Sequence, residues 1–286
     1  MAEIGAAVIR DAMPEQHQRF FEQLPFVIVG ARDSSGQPWA SAMAGPPGFV
    51  TATTARRLLL SGARDGADPV LGAGLHTGAA LGLLGLEPHT RRRNRANGIV
   101  GALSHAELAL EVRESFGNCP KYIHARRASF DPSCVAPAQS HRSVGVDPAF
   151  AAVIAAADTC FIATAHPEVG VDVSHRGGRP GFVHVDGDTL WMPDYSGNFF
   201  FNTLGNLVIE PRAGLLFVDL ARGDLWHAAG EVAITWEGPE VAAFAGAQRL
   251  LRITIREVLC RSGALPLRWG PGEPSPHLPA PVHGAR

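Results

Sequence analysis

Lysine is almost missing from this chain: Lys121 is the only one among 25 basic residues. Any anionic ligand must therefore be held mainly by arginine or by backbone N–H groups. Cysteine is scarce as well. Cys119, Cys134, Cys160 and Cys260 lie far apart, with no CxxC pair and no zinc-like spacing, which argues for reduced thiols and against a disulfide framework. HExxH, GxSxG and P-loop patterns are all absent, so no metalloprotease, serine hydrolase or nucleotide-phosphate loop is indicated. No stretch of 18 apolar residues occurs, and residues 70–87 are broken by glycines and His76, so no membrane span is expected. The N-terminus lacks a basic stretch followed by an apolar run, and the expected location is cytoplasmic. A net charge of −2 gives no field to attract nucleic acid or an anionic membrane.

What is present is a globular composition, 46% hydrophobic and 18% charged. The 32 glycines and 22 prolines suit short strands joined by turns. The chain also repeats itself. Pro47-Gly48-Phe49-Val50 recurs as Pro180-Gly181-Phe182-Val183, and Ser41 falls opposite Ser174. FVIVGA (26–31) resembles CFIATA (160–165), LGLLGLE (81–87) resembles AGLLFVD (213–219), and VRESF (112–116) resembles IREVL (255–259). Four matches in one order predict an internal duplication. The expected units are a first copy over 1–130 with an N-terminal helix, a linker over 131–147, a second copy over 148–269 and a loose proline-rich tail over 270–286.

Each copy reads as β-rich. Short apolar runs of strand length alternate with turn signals at Asp33-Ser34-Ser35-Gly36 and Asp186-Gly187-Asp188. RLLRITIREVL predicts a long strand with Leu251, Ile253 and Ile255 on one face. Helices are expected over residues 13–25 and 149–158, and Asn118-Cys119-Pro120 predicts another helix start.

The copies differ most at their polar positions. His175, Arg176 and Arg179 of the second stand where the first has Ala42, Met43 and Pro46. The first carries the run Arg91-Arg92-Arg93-Asn94-Arg95, where the second has a mild ARGDLWHAAG. Such divergence on one scaffold predicts a single composite or surviving site. PDYSGNFFFNTLGN (193–206) reads as a polar turn between strands, able to offer hydroxyls and N–H groups to a phosphate, with Arg176 as a bidentate partner. The plainer readings are a solvated arginine hairpin, a structural His175 and a Cys119 that merely caps.

PWASAMAGPPGFV, HTRRRNRANG, SFGNCPKYI, DVSHRGGRPGFV, PDYSGNFFFNTLGN and PRAGLLFVD together span most of residues 14–269. In these motifs the chain resembles the pyridoxamine-5′-phosphate-oxidase-like, FMN-binding split-barrel superfamily, in particular its flavin-nucleotide-binding branch. The resemblance implies a mainly β (α+β) fold of two tandem split β-barrels and a non-covalent FMN at a barrel–barrel interface. Carried over by residue, it implies cofactor contacts from Ser174, His175, Arg176, Asp194, Ser196, Asn198 and Asn202, joined by Arg91, Arg93 and Arg95. His175 is the candidate catalytic group. Where the oxidases have a basic turn, this chain has Ser196-Gly197-Asn198. The implied activity is flavin-mediated hydride or electron transfer with a small-molecule substrate or electron donor. The alternatives are a non-catalytic flavin carrier or sensor and a deazaflavin- or haem-binding barrel. No nucleic-acid, membrane or metal partner is expected, and the assembly expected is an internal pseudo-dimer or a homodimer.

Overall fold

The computed structural model describes residues 8–62, 65–72, 74–135, 139–197 and 200–279. The first unit opens with helix α1 (Glu15–Glu22) and continues through β1 (Phe26–Arg32), β2 (Pro38–Ala44), β3 (Val50–Thr54), β4 (Arg57–Ser61), β5 (Ala80–Glu87), β6 (Arg92–Leu103) and β7 (Glu107–Gly117). β8 (Ala128–Phe130) and β9 (Gln139–Val144) follow. The second unit comprises α2 (Pro148–Ala156), β10 (Thr159–His166), β11 (Gly170–Gly177), β12 (His184–Asp186), β13 (Thr189–Tyr195), α3 (Asn202–Ile209), β14 (Arg212–Asp219), β15 (Asp224–Thr235), α4 (Pro239–Ala242), β16 (Ala247–Ser262) and β17 (Leu267–Trp269).

Both antiparallel sheets follow one path. The first runs β2-β1-β5-β6-β7-β4-β3 and the second β11-β10-β14-β15-β16-β13-β12, the same order shifted to the later strands. The fold is thus two tandem split β-barrels. Contacts between them are reciprocal: β5 packs on β11, and β14, the equivalent of β5, packs on β2, the equivalent of β11.

This packing explains why FVIVGA and LGLLGLE lack the polar alternation of a half-exposed strand. Val27 and Val29 of β1 and Leu81 and Leu83 of β5 point into the first barrel's core, with Phe20, Phe21, Leu58 and Leu108. Phe26 and Ile28 of β1 and Leu84 and Leu86 of β5 point the other way, into a core between the barrels shared with Phe161, Val173 and Leu216. The second barrel splits likewise: Ile162, Leu215 and Phe217 join Phe150 and Ile154 of α2 in its own core. Both faces of these strands are buried, so both must be apolar. The long strand β16 behaves as its alternation requires, with Leu251, Ile253 and Ile255 buried and Arg252, Thr254 and Arg256 exposed.

Four expectations change. Asn118-Cys119-Pro120 starts no helix; Pro120 and a left-handed Tyr122 (φ 67°) carry the chain through a turn instead. PDYSGNFFFNTLGN, read as a turn, holds the helix α3 from Asn202. Within the stretch read as a linker, β9 pairs with β16 from Val144–Glu257 to Gln139–Ser262. In the tail, Glu273 pairs with Ala125 through the backbone and Ser275 is buried, so residues 273–275 are docked.

Candidate functional site

A cleft opens between the barrels. From the first, Arg93 and Arg95 of β6 and Asn118, Cys119, Lys121 and Tyr122 after β7 line it. From the second come Ser174, His175 and Arg176 of β11, Asp194 and Tyr195 of β13, Asn202 and Thr203 of α3, and Arg249 of β16. Strand geometry sets the spacing: Arg93 and Arg95, two residues apart on β6, share a face. The Arg91–Arg95 run is therefore chiefly a strand and not a solvated loop.

Arg95 is buried and neutralised. Its guanidinium lies 3.2 Å from Asp172 and donates to Ser174 Oγ at 2.5 Å. Ser174 Oγ in turn meets Thr203 Oγ1 at 2.8 Å, tying β11 to the start of α3. Asn97 Nδ2 donates to Asp172 at 3.1 Å and closes the network from below. Burial lowers the Arg95 pKa, and Asp172 opposes the shift. Arg176 is ion-paired with Asp194, which also lies 3.4 Å from Arg249. Arg249 itself sits over the rings of Phe201 and Trp236.

Arg93 differs. It donates to the Cys119 carbonyl at 2.8 Å and to His175 Nδ1 at 3.2 Å, but it makes no ion pair among the described residues. Burial, aided by the neighbouring Arg95, pulls its pKa down to about 9. A cation held this way lacks an anion. A guanidinium cannot accept, so His175 Nδ1 is the acceptor and the neutral ring carries its proton on Nε2. Burial, then Arg93, His124, Arg176 and Arg126, holds the His175 pKa well below its ordinary value. His175 is therefore neutral at pH 7.

Helix α3 begins at the cleft, with a left-handed Phe201 (φ 55°) ahead of it and no side-chain cap. The first N–H groups of an α-helix have no intrahelical acceptor and form the positive end of its dipole. Two more buried donors, Nε of Arg95 and Nε of Arg176, have no hydrogen-bond partner among the described residues. Tyr122 and Tyr195 stand 5.1 Å apart at the mouth, and Tyr122 donates to the Ser196 carbonyl at 2.9 Å. Burial pushes the Tyr195 pKa up to about 12, so it remains a phenol.

Of the residues singled out in the sequence, Ser174, His175, Arg176, Asp194, Asn202, Arg93 and Arg95 converge on the cleft. Ser196 borders it through its carbonyl. Asn198 lies outside the described residues. Arg91 points elsewhere: it donates to the Ile123 and Pro274 carbonyls and pairs with Glu273 at 3.2 Å. Sequence reasoning missed Asn118, Lys121, Tyr122, Thr203 and Arg249. SFGNCPKYI carried the signal for the first three, but as a site and not as a helix start. Arg249 gave no signal, being one polar residue beside an alternating strand.

The equivalent position in the other half is filled by the chain itself. Matching registers put His227 where Arg95 stands and Arg261 where Asn118 stands. There Ser41, the counterpart of Ser174, donates to the carboxylate of Asp68, which Arg261 also contacts at 2.5 Å. Asp65 takes the other arm of Arg261. Internal carboxylates thus occupy this second position.

Residues 146–260 match the family model described as Pyridoxamine 5'-phosphate oxidase. No curated protein matches the chain. Among solved structures, HupZ of Group A Streptococcus is 16% identical, with a TM-score of 0.32, covering 38% of this chain and 89% of its own. A structure titled F420 reductase is 15% identical, with a TM-score of 0.29 and coverage of 44% and 98%. A FAD-binding protein from Mesorhizobium loti is 8% identical, with a TM-score of 0.31 and the same coverage. The family match and the strand path together place the second barrel in the pyridoxamine 5'-phosphate-oxidase-like split-barrel superfamily.

Proposed function

We propose that the cleft holds the phosphate end of FMN and that the protein is a flavin-dependent oxidoreductase acting on a small molecule. The observation that carries this reading is Arg93, a buried guanidinium with no carboxylate among the described residues, at a helix start that also presents N–H donors. Five cations line the cleft, and Asp194 within it and Asp172 behind Arg95 offset two of them, so a dianion fits the remaining charge. The cleft encloses about 110 Å³. That is below the ~300 Å³ at which pockets begin to bury most of a whole ligand, and it suits the anionic end of a longer one.

Arg93, Arg176 and the N–H groups of α3 would hold the phosphate, with Arg95 fixed by Asp172 to orient Ser174. Neutral His175, held by Arg93, positions the wall of the site without adding charge. Tyr122 and Tyr195 flank the mouth. FMN, when bound, supplies hydride or single-electron transfer, which no side chain of this site can provide. The reciprocal packing of the barrels supports an internal pseudo-dimer derived by duplication. Asp68 at the counterpart position supports one cofactor per chain.

Titration with FMN and with riboflavin, followed by flavin fluorescence, tests the reading. FMN is expected to bind at one equivalent per chain. Arg93→Ala is expected to weaken FMN by ~10- to 100-fold, the worth of a charge-assisted hydrogen bond, and to leave riboflavin affinity nearly unchanged. Equal weakening of both ligands, or no flavin binding by the wild type, overturns it.

A further inference from the structure

Among the described residues, three that are not glycine have a left-handed backbone: Arg91 (φ 57°), Tyr122 (φ 67°) and Phe201 (φ 55°). Tyr122 and Phe201 line the cationic cleft, and Arg91 is bonded to the segment that carries Tyr122. Such backbone is unfavourable for a residue with a Cβ and persists only where its surroundings hold it, often beside a functional site.

What holds Tyr122 is the tail. The Tyr122 N–H donates to Ser275 Oγ at 3.2 Å, and Ser275 is buried although Pro274 and Pro276 on either side are exposed. Arg91 donates to the Ile123 carbonyl at 3.0 Å and to the Pro274 carbonyl at 3.3 Å, which joins the same two segments a second time. The backbone pair of Glu273 and Ala125, 2.8 Å in both directions, joins them a third. Farther along, Arg179 Nε of the second barrel donates to the Pro279 carbonyl at 3.4 Å. Residues 273–279 therefore bridge the two barrels beside the cleft.

Held in this way, the Tyr122 phenol reaches across the mouth. Its hydroxyl donates to the Ser196 carbonyl of the other barrel at 2.9 Å, and its ring lies 5.1 Å from that of Tyr195. Burial, then the Cys119 thiol and Asp194, raises the Tyr122 pKa, so the hydroxyl keeps the proton it donates. A closure made by one such bond opens at modest cost.

We propose that Tyr122 is a latch across the cleft mouth and that Ser275 is the positioning residue that sets it, so that the mouth opens before a ligand enters or leaves. The latch belongs to the free chain; that its ligand is FMN rests on the function proposed for the cleft.

Cys119 lines the cleft and is half-buried, so its alkylation by uncharged iodoacetamide reports opening without any cofactor. Cys134→Ser removes the other half-buried thiol, and Cys160 and Cys260 are buried. In that background Ser275→Ala is expected to speed Cys119 alkylation about 3- to 10-fold, the worth of one hydrogen bond. Ser275→Thr keeps a hydroxyl and is expected to alkylate at the parent rate. Tyr122→Phe is expected to give an increase like that of Ser275→Ala, and the double variant little more, because Ser275 acts through the Tyr122 hydroxyl. Release of FMN from the same variants, followed by stopped-flow fluorescence, is expected to accelerate by the same factor. Unchanged alkylation in the single variants, or effects that add in full, overturns the latch. A wild type that binds no FMN while Cys119 responds as expected supports the latch and removes the flavin reading. FMN binding with unchanged alkylation does the reverse.

Discussion

A methyl group added at Gly82 would stand 2.8 Å from the Val171 carbonyl oxygen, and one added at Gly214 would stand 2.4 Å from that of Pro38. These glycines occupy equivalent places on β5 and β14, and each lets one barrel's strand lie directly on the other barrel's backbone. Backbone is the obstacle in both cases, so no side-chain rotation relieves the clash. Gly82→Ala and Gly214→Ala are each expected to destabilise the protein by about 1–3 kcal/mol, the usual cost of overpacking. The larger loss belongs at Gly214, where the approach is closer. Urea unfolding followed by tryptophan fluorescence measures both, and a neutral result at either position would mean that the barrels separate there at little cost.

The segment around Asp68 does for one half what an anion is proposed to do for the other. Its carboxylate accepts from the backbone N–H groups of Val70 and Leu71 at 2.8 Å, from Ser41 and from Arg261. Asp68 is 4% exposed and Arg261 7%. Breaking a buried pair leaves the surviving charge stranded, at about 3–5 kcal/mol. Asp65 still meets Arg261, so Asp68→Ala is expected at the lower end, about 3 kcal/mol in a urea titration. Asp68→Asn can still accept from the two N–H groups and is expected to cost less. Equal losses in the two variants would assign the effect to the turn and not to the charge.

This segment also marks what the sequence made legible. The strands and their repeat were readable because both copies keep apolar runs of one length in one order, and burial on both faces imposes that pattern. The cationic cleft was half readable, since Ser174, His175 and Arg176 form a local motif and Arg93 and Arg95 a local run. That Arg91 turns away, while Arg249 and Lys121 arrive from distant segments, depends on register and on a left-handed Arg91 (φ 57°). The Asp68 plug was not legible at all. An aspartate in ADPV looks like any turn residue until Arg261, 193 positions away, is brought beside it. The helix α3 was hidden for a similar reason, its Asn- and Gly-rich start reading as turn chemistry.

Acid should act on the whole molecule through the seam between the barrels. His227 of β15 is fully buried, and its Nδ1 bonds the Ala40 carbonyl of β2 at 2.8 Å. His175 of β11 is bonded to Arg93 of β6. Each histidine thus ties one barrel to the other. Burial lowers the pKa of both below 6.5, Asp68 opposing the shift at His227, and nearby arginines add to the shift at His175. Below pH 6.5 the unfolded chain takes up protons that the folded one refuses, so stability falls with pH from 6.5 towards the folded-state values. Each such group contributes about 1.4 kcal/mol per pH unit once well inside that window. Between pH 7.5 and 5.5 the two are expected to remove up to about 3 kcal/mol, read as a drop in the urea midpoint. His227→Asn retains a donor for the Ala40 carbonyl and removes one titrating group, so its loss over the same interval is expected to be smaller than that of the wild type. A variant as acid-sensitive as the wild type would place the proton uptake elsewhere. The next candidate is His17, which burial also pushes down and which bonds Ser115 inside the first barrel.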